Sequence, residues 1–104
     1  MARYDVYANP DSSERKLVPF FLDVQNDFLE GMDTRVVVPL WAPAALQRKL
    51  RVLNPELSVD GRTVVMDAAA IGAVPTADLR RPVDNLAPQQ LEIQDALDAL
   101  FGGY

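Results

Sequence analysis

The stretch that decides the fold is LSVDGRTVVM, residues 57–66. Two short runs rich in β-branched residues flank Asp60-Gly61, and an Asp-Gly pair readily adopts the positive φ angles that a two-residue hairpin turn requires. The segment therefore predicts a β-hairpin with strands at residues 57–59 and 63–66. It is the strongest local signal in the chain, and it favours a mostly antiparallel β fold.

On the N-terminal side of this hairpin, further short strands are predicted. They lie at residues 4–7, 17–24 and 36–38, the last closed by Pro39, and the polar residues 9–16 form an exposed loop. Within residues 17–24 the two-residue period of a strand separates two faces. Phe20, Leu22 and Val24 form an apolar face that should point into the core, and Phe21, Asp23 and Gln25 share the other.

Asp23 is unusual because it places a charge inside the apolar run Phe-Phe-Leu-Asp-Val. Two interpretations stand at this point. An edge or an open sheet face would simply expose the carboxylate, whereas a recognition role would have Asp23 hold a loop or a partner.

On the C-terminal side, residues 44–53 lack Gly and Pro and lie between Pro43 and Pro55, which predicts a short helix. Residues 71–74 predict another strand, and residues 75–85 an irregular sheet edge.

The clearest helix starts near Pro88, which suits a first helical turn, and ends before Gly102-Gly103, since glycine adopts a left-handed cap at little cost. Apolar residues at three- and four-residue spacing form a stripe that should dock on the sheet. The stripe consists of Leu91 or Ile93, then Ala96, Leu97, Leu100 and Phe101. The fold class is therefore mainly β with a C-terminal α-helix.

Length and composition fit one domain over residues 1–104, with 49% hydrophobic residues for a single core. The N-terminus lacks the apolar segment of a signal peptide, no stretch approaches a membrane span, and there is no cysteine, so we expect a cytoplasmic protein without disulfides.

The net charge of −5 argues against direct nucleic-acid binding. The small basic clusters Arg48-Lys49-x-Arg51 and Arg80-Arg81 are interpreted as solvated charge.

Catalytic signals are scarce, because the chain has neither His nor Cys. Asp95 and Asp98 lie one helical turn apart and are interpreted as a solvated face and not as a metal site. We therefore predict a protein that is not an enzyme and carries no cofactor or metal. Trp41 is either a surface anchor or a residue packed against the following short helix. Tyr104, beyond the two glycines, suggests an aromatic end that enters a pocket on a partner.

Four segments together resemble the CcdB toxin family. They are FLDVQND at residues 21–27, VVPL at residues 37–40, AVP at residues 73–75, and the helix end Leu100-Phe101-x-Gly103. The order and spacing of these segments hold over nearly the whole chain.

The resemblance implies an SH3-like barrel, related to the Kid and MazF toxins, with a C-terminal helix and a homodimeric assembly. It implies a type II toxin that poisons DNA gyrase by binding its GyrA subunit and trapping the cleavage complex. It also implies a CcdA-like antitoxin as the second partner.

The resemblance further implies gyrase-binding residues. They are Gly102, Gly103 and Tyr104 of the tail, Asp98 of the helix, and Phe28 and Leu29 after the DVQND motif. The family's tail is Trp-Gly-Ile-like, so Gly102 stands in the Trp position and Tyr104 replaces an aliphatic residue, while Asp98 replaces an Asn. Two alternatives remain: a degenerate relative that binds antitoxin without poisoning gyrase, and a MazF-like endoribonuclease on the same fold.

Overall fold

The computed structural model describes residues 1–29, 31–47 and 49–102. Within these ranges the chain forms seven strands and one α-helix. The strands are β1 Asp5–Ala8, β2 Phe20–Asp23, β3 Thr34–Trp41, β4 Glu56–Val59, β5 Arg62–Met66, β6 Gly72–Pro75 and β7 Asp84–Asn85, and the helix α1 is Gln90–Phe101. Short 3-10 helices span Asp27–Leu29, Ala68–Ala70, Thr76–Asp78 and Ala87–Gln89.

The strands build one antiparallel sheet in the order β4-β5-β3-β2-β1-β7, and β6 pairs with the first half of β3. Hydrogen bonds from side chains connect β4 and its turn, at one end of this order, with β7 and the segment after it, at the other end. The backbone N–H of Ser58 in β4 donates to Oε1 of Gln89, whose Nε2 donates back to the Ser58 carbonyl. The N–H of Asp60 donates to Oδ2 of Asp84 in β7. The sheet is thus nearly closed into a barrel, and the predicted SH3-like barrel with a C-terminal helix is confirmed.

The hairpin predicted from Asp60-Gly61 is confirmed. Val59 pairs with Arg62 across the turn, and Asp60 and Gly61 have φ angles of 48° and 80°. These are the positive values that a tight two-residue turn needs, so the local sequence alone sets this register.

Strand β3 is longer than predicted, because Pro39 lies inside it. Pro39 pairs with Phe21 of β2, and its carbonyl accepts a hydrogen bond from the Asp67 N–H on the opposite side. The backbone polar groups of one residue point to the same side of an antiparallel strand, so the missing N–H faces away from β2. On that side β6 pairs only up to Val37, and β5 pairs only from Leu40. The proline therefore removes no ladder hydrogen bond.

The helix predicted at residues 44–53 is wrong, since the described residues of this segment form turns and irregular backbone. The Leu50 N–H donates to Oδ1 of Asn54, and the Leu50 carbonyl accepts from the N–H groups of Leu53 and Asn54. These local turns compete with helix formation. Leu50 and Val52 are 62% and 60% exposed, so no apolar stripe docks here to stabilise a helix.

The core lies between the barrel interior and one face of α1. Leu22, Val38 and Leu40 of the central strands are fully buried, and Ile93 and Ala96 of the helix pack against them in the same cluster. The helix is docked as predicted, but only part of its stripe is covered. Ile93 occupies the core position, whereas Leu91 is 73% exposed and Phe101 is 69% exposed. None of the helices described is long and apolar enough to cross a membrane.

Candidate protein-binding surface

Asp23 is buried and forms an ion pair, so exposure on an open sheet face is the wrong interpretation. Its Oδ2 lies 2.7 Å from Nε of Arg35 on the neighbouring strand β3, and the two side chains are 0% and 2% exposed. The hydrogen bond to Asp23 holds the pKa of Arg35 above its usual value. Charges that leave water need a partner of this kind. Asp23 also holds the start of the following loop, because its Oδ1 accepts the Gln25 N–H at 2.9 Å. A role of Asp23 in recognising a partner stays a prediction.

The rest of the DVQND motif fixes the short 3-10 helix Asp27–Leu29, which we call the Phe28 turn. Oε1 of Gln25 accepts the Val36 N–H of β3, and its Nε2 donates to the Leu29 carbonyl. Oδ1 of Asn26 accepts the Phe28 N–H at 3.0 Å. Oδ1 of Asp27 accepts the Arg3 N–H at 2.6 Å, which ties the turn to the N-terminal segment. The motif therefore builds a rigid support for the residues that follow it.

Phe28 and Leu29 project from this support into solvent. Phe28 is 94% exposed and Leu29 is 48% exposed, and Met32 nearby is 50% exposed. The fold of the described chain makes almost no use of the Phe28 ring. An aromatic side chain on a rigid support loses little conformational freedom on binding, and such residues are common anchors in protein interfaces.

The second set of candidate residues lies at the end of α1. Asp98 is exposed, and its carbonyl accepts the N–H of Gly102, which caps the helix in the left-handed conformation with φ 72° and ψ 33°. This cap confirms the predicted helix end. Phe101 lies between them, at the start of the Phe-Gly-Gly-Tyr tail that the sequence suggested as a contact. Its four-residue spacing from Leu97 assigned it to the core, but the structure leaves 69% of it exposed. Gly103 and Tyr104 lie outside the described residues.

The two sets are carried by separate elements. The Phe28 turn follows β2, whereas α1 packs against the 3-10 helix Ala68–Ala70. In the part of the chain that the structure describes, no hydrogen bond joins the turn to Asp98 or Gly102. Each set can therefore be tested by substitution without disturbing the other.

The left-handed cap at Gly102 gives a direct prediction. Because an L residue is strained at φ 72°, Gly102→Ala should lower the free energy of unfolding by about 1 kcal/mol. Gly102→Asn should lose less than Gly102→Ala, since asparagine tolerates this conformation better. Urea denaturation of the three proteins measures both differences. Equal stability of Gly102→Ala and the parent would contradict the assigned cap.

Trp41 lines an apolar hollow of about 380 Å³ with side chains of four other segments. Its neighbours there include Leu17, Phe21, Val37 and Val74. The Trp41 ring is half-buried, and its Nε1 has no hydrogen-bond partner in the described chain. Packing on a following helix, one of its two predicted roles, is wrong because that helix does not form. Trp41 thus stands at the rim of a concave apolar surface.

Residues 1–29, 31–47 and 49–102 contain no group of three or more acidic side chains placed to hold a metal ion. Tyr7 is buried beside Asp5, and its burial raises its pKa to about 12, which keeps the phenol neutral at physiological pH. The Tyr7 hydroxyl donates to Oδ2 of Asp5 at 3.3 Å, so this pair stabilises the barrel wall.

A nearly closed antiparallel barrel with one C-terminal helix defines the SH3-like class of small β proteins, and here its exposed apolar residues sit on rigid supports. Residues 3–103 match the model of the family described as CcdB protein. Since this match spans almost all of the 104 residues, the chain belongs to the CcdB family. The family implies a toxin of a toxin–antitoxin pair.

Proposed function

We propose that the chain is a type II toxin that poisons DNA gyrase in the cytoplasm. It would act as one domain, in a homodimer that binds the GyrA subunit and traps the cleavage complex. A CcdA-like antitoxin would neutralise it. The observation that carries the proposal is Phe28, an aromatic side chain that is 94% exposed on a hydrogen-bonded turn, at a position that the family resemblance assigns to gyrase binding.

The structure supports this choice in two further ways. Binding at a preformed surface requires a support that does not reorganise, and the Phe28 turn is held by Gln25, Asn26 and Asp27. At the helix end, Phe101 adds a second exposed aromatic ring beside Asp98 and Gly102. Two exposed aromatic side chains in an acidic protein fit a protein partner better than the nucleic-acid backbone.

The apolar hollow beside Trp41 supports the antitoxin part of the proposal. A segment that folds on binding gains its free energy from apolar burial, and the hollow of about 380 Å³ is of the size that binding clefts have. The hollow, the Phe28 turn and the helix end are different surfaces, so a degenerate relative could retain antitoxin binding after losing gyrase.

The test is a cleavage assay with purified protein, gyrase, ATP and supercoiled plasmid. Trapping of the cleavage complex should yield linear DNA after detergent and protease treatment, and none without gyrase. Absence of linear DNA together with binding of a CcdA-like antitoxin would indicate the degenerate relative. Cleavage of RNA without gyrase would indicate the MazF-like endoribonuclease.

Phe28→Ala should weaken gyrase trapping. Removal of a buried aromatic anchor costs about 2 kcal/mol of binding, so about 30 times more protein should be needed for half-maximal linearisation. Because the ring is exposed, the free energy of unfolding should change by less than about 0.5 kcal/mol. Leu50→Ala is the matched control, since Leu50 is 62% exposed on a different segment. An unchanged Phe28→Ala protein, or equal losses in both variants, would remove Phe28 from the interface.

Tyr104→Ala tests the tail separately. If the terminal ring enters a pocket on GyrA, this variant should also need roughly 30 times more protein for half-maximal linearisation. Its stability should equal that of the parent in urea denaturation. Full trapping activity in Tyr104→Ala would show that the tail is not the contact, whereas lower stability would make Tyr104 a structural residue.

A further inference from the structure

A basic hollow of about 470 Å³ lies on the surface of this acidic chain. Arg15, from the loop between β1 and β2, lines it together with Arg80 and Arg81, from the segment between the 3-10 helix Thr76–Asp78 and β7. No local sequence pattern joins Arg15 to the Arg80-Arg81 pair. The fold brings Arg15 and the Arg80-Arg81 pair together around one hollow.

The wall that carries Arg15 is held in place by hydrogen bonds. Asn9 is 2% exposed, and its Nδ2 donates to the Val18 carbonyl at 2.9 Å, which closes the base of the loop. Nε of Arg15 donates to the Asn9 carbonyl at 2.6 Å, so the guanidinium is held against the loop. Oδ1 of Asp11 accepts both the N–H and the hydroxyl of Ser13, and the charge of Arg15 acts on the same carboxylate. These bonds hold the pKa of Asp11 below its usual value.

The opposite wall is anchored by Leu79. This side chain is 6% exposed and packs with Tyr7 and Val37, and its N–H donates to the Thr76 carbonyl. Beyond the arginines, the N–H of Val83 donates to the Val6 carbonyl of β1 at 2.7 Å. Arg80 and Arg81 are exposed on a segment that is fixed at both ends.

The described side chains that line the hollow carry more positive than negative charge. Among the described residues that line it, one is acidic, Asp78, and three are arginines. In the described ranges, none of these arginines has a carboxylate within ion-pair distance. Ala8, Pro10 and Ala77 add apolar surface to the same hollow.

We propose that this hollow binds a carboxylate-rich peptide segment of a partner protein. Guanidinium groups pair with carboxylates through two parallel hydrogen bonds, and the apolar lining can accept the aliphatic stems of glutamate side chains. A nucleic acid fits less well. Phosphate-backbone binders use about 6–10 contacts over an extended basic surface, whereas this hollow has three arginines beside Asp78 on a chain of net charge −5. The proposal does not depend on gyrase poisoning.

The experiment measures binding of a fluorescein-labelled peptide of alternating glutamate and alanine by fluorescence anisotropy at low salt. A glutamine–alanine peptide of the same length and a single-stranded oligothymidylate are the comparison probes. The glutamate peptide should bind at least tenfold more tightly than the other two, and the affinity should fall as salt rises. Binding of the oligothymidylate at equal or higher affinity, or no binding of the glutamate peptide, would overturn the proposal.

The site is tested with the double variant Arg80→Gln/Arg81→Gln. It should bind the glutamate peptide about tenfold more weakly than the parent, because one wall of the hollow loses its charge. Lys49→Gln/Arg51→Gln is the matched control: it changes the net charge by the same amount but leaves the hollow intact. This control should bind as the parent does. Equal losses in the two double variants would show non-specific attraction and overturn the site.

Discussion

Replacing Asp23 by asparagine is expected to lower the free energy of unfolding by about 3–5 kcal/mol. The variant Asp23→Asn keeps the size of the side chain but leaves the Arg35 guanidinium, which is 2% exposed, without its counter-charge. Such a loss is a large part of the 5–15 kcal/mol that stabilises an ordinary domain. Urea denaturation at neutral pH, followed by the fluorescence of the single residue Trp41, measures the change.

Two comparisons separate the ion pair from other effects of the substitution. Asp33→Asn removes the same charge at an exposed position, and its free energy of unfolding should change by less than about 0.5 kcal/mol. The double variant Asp23→Leu/Arg35→Met removes both charges and should be more stable than Asp23→Asn, since apolar pairs often replace buried ion pairs without loss. A loss below about 1 kcal/mol in Asp23→Asn would contradict an essential buried pair.

Ile93→Ala is expected to lower the free energy of unfolding by about 2–5 kcal/mol. Ile93 is fully buried in the core cluster, and alanine would leave a cavity between α1 and the barrel. Intrinsic helix propensity acts in the opposite direction, because alanine is the better helix former. The expected loss therefore reports docking of the helix alone. A 12-residue helix is marginal in water without such docking.

Leu91→Ala is the control on the same helix. Leu91 is 73% exposed, so the same type of truncation should change the free energy of unfolding by less than about 0.5 kcal/mol. Thermal denaturation followed by circular dichroism can rank the three proteins. Equal destabilisation by Leu91→Ala and Ile93→Ala would contradict the orientation of the helix.

The parts of the fold that could be predicted are those encoded by neighbouring residues. Asp60-Gly61 fixes its hairpin through backbone angles alone, and Gly102 ends the helix for the same reason. The faces of β2 were partly predictable, since the period of two places Leu22 and Val24 in the core. The period could not show that Asp23 on the other face is also buried, because that depends on a residue of another strand.

The parts that failed depend on contacts that composition and residue spacing do not show. Residues 44–53 have an adequate helical composition, but the turn around Leu50 and Asn54 forms instead. Pro39 looked like the end of a strand because its tolerance inside β3 requires the gap between β5 and β6.

The residues of the candidate site divide in the same way: some could be indicated from the sequence, and others depend on contacts made by the fold. Phe28 and Leu29 were assigned through the family resemblance, and the structure shows how the preceding motif supports them. Arg35 was not predicted as the partner of Asp23, because no local pattern links two residues on different strands. Phe101 was assigned to the core by its spacing, whereas its exposure is set by where the helix lies on the barrel. The resemblance therefore indicated candidate binding residues, whereas the contacts that position them depend on how the strands pair.

The bridge between Ser58 and Gln89 also bears on how the protein behaves at high concentration. An uncovered edge strand offers free N–H and C=O groups to other chains and favours self-association. On the outer side of β4, the side-chain amide of Gln89 forms hydrogen bonds with both the N–H and the carbonyl of Ser58. Next to it, Asp84 accepts the N–H of Asp60. The closure of the barrel thus leaves these backbone groups of the edge unavailable for pairing with a strand of another chain.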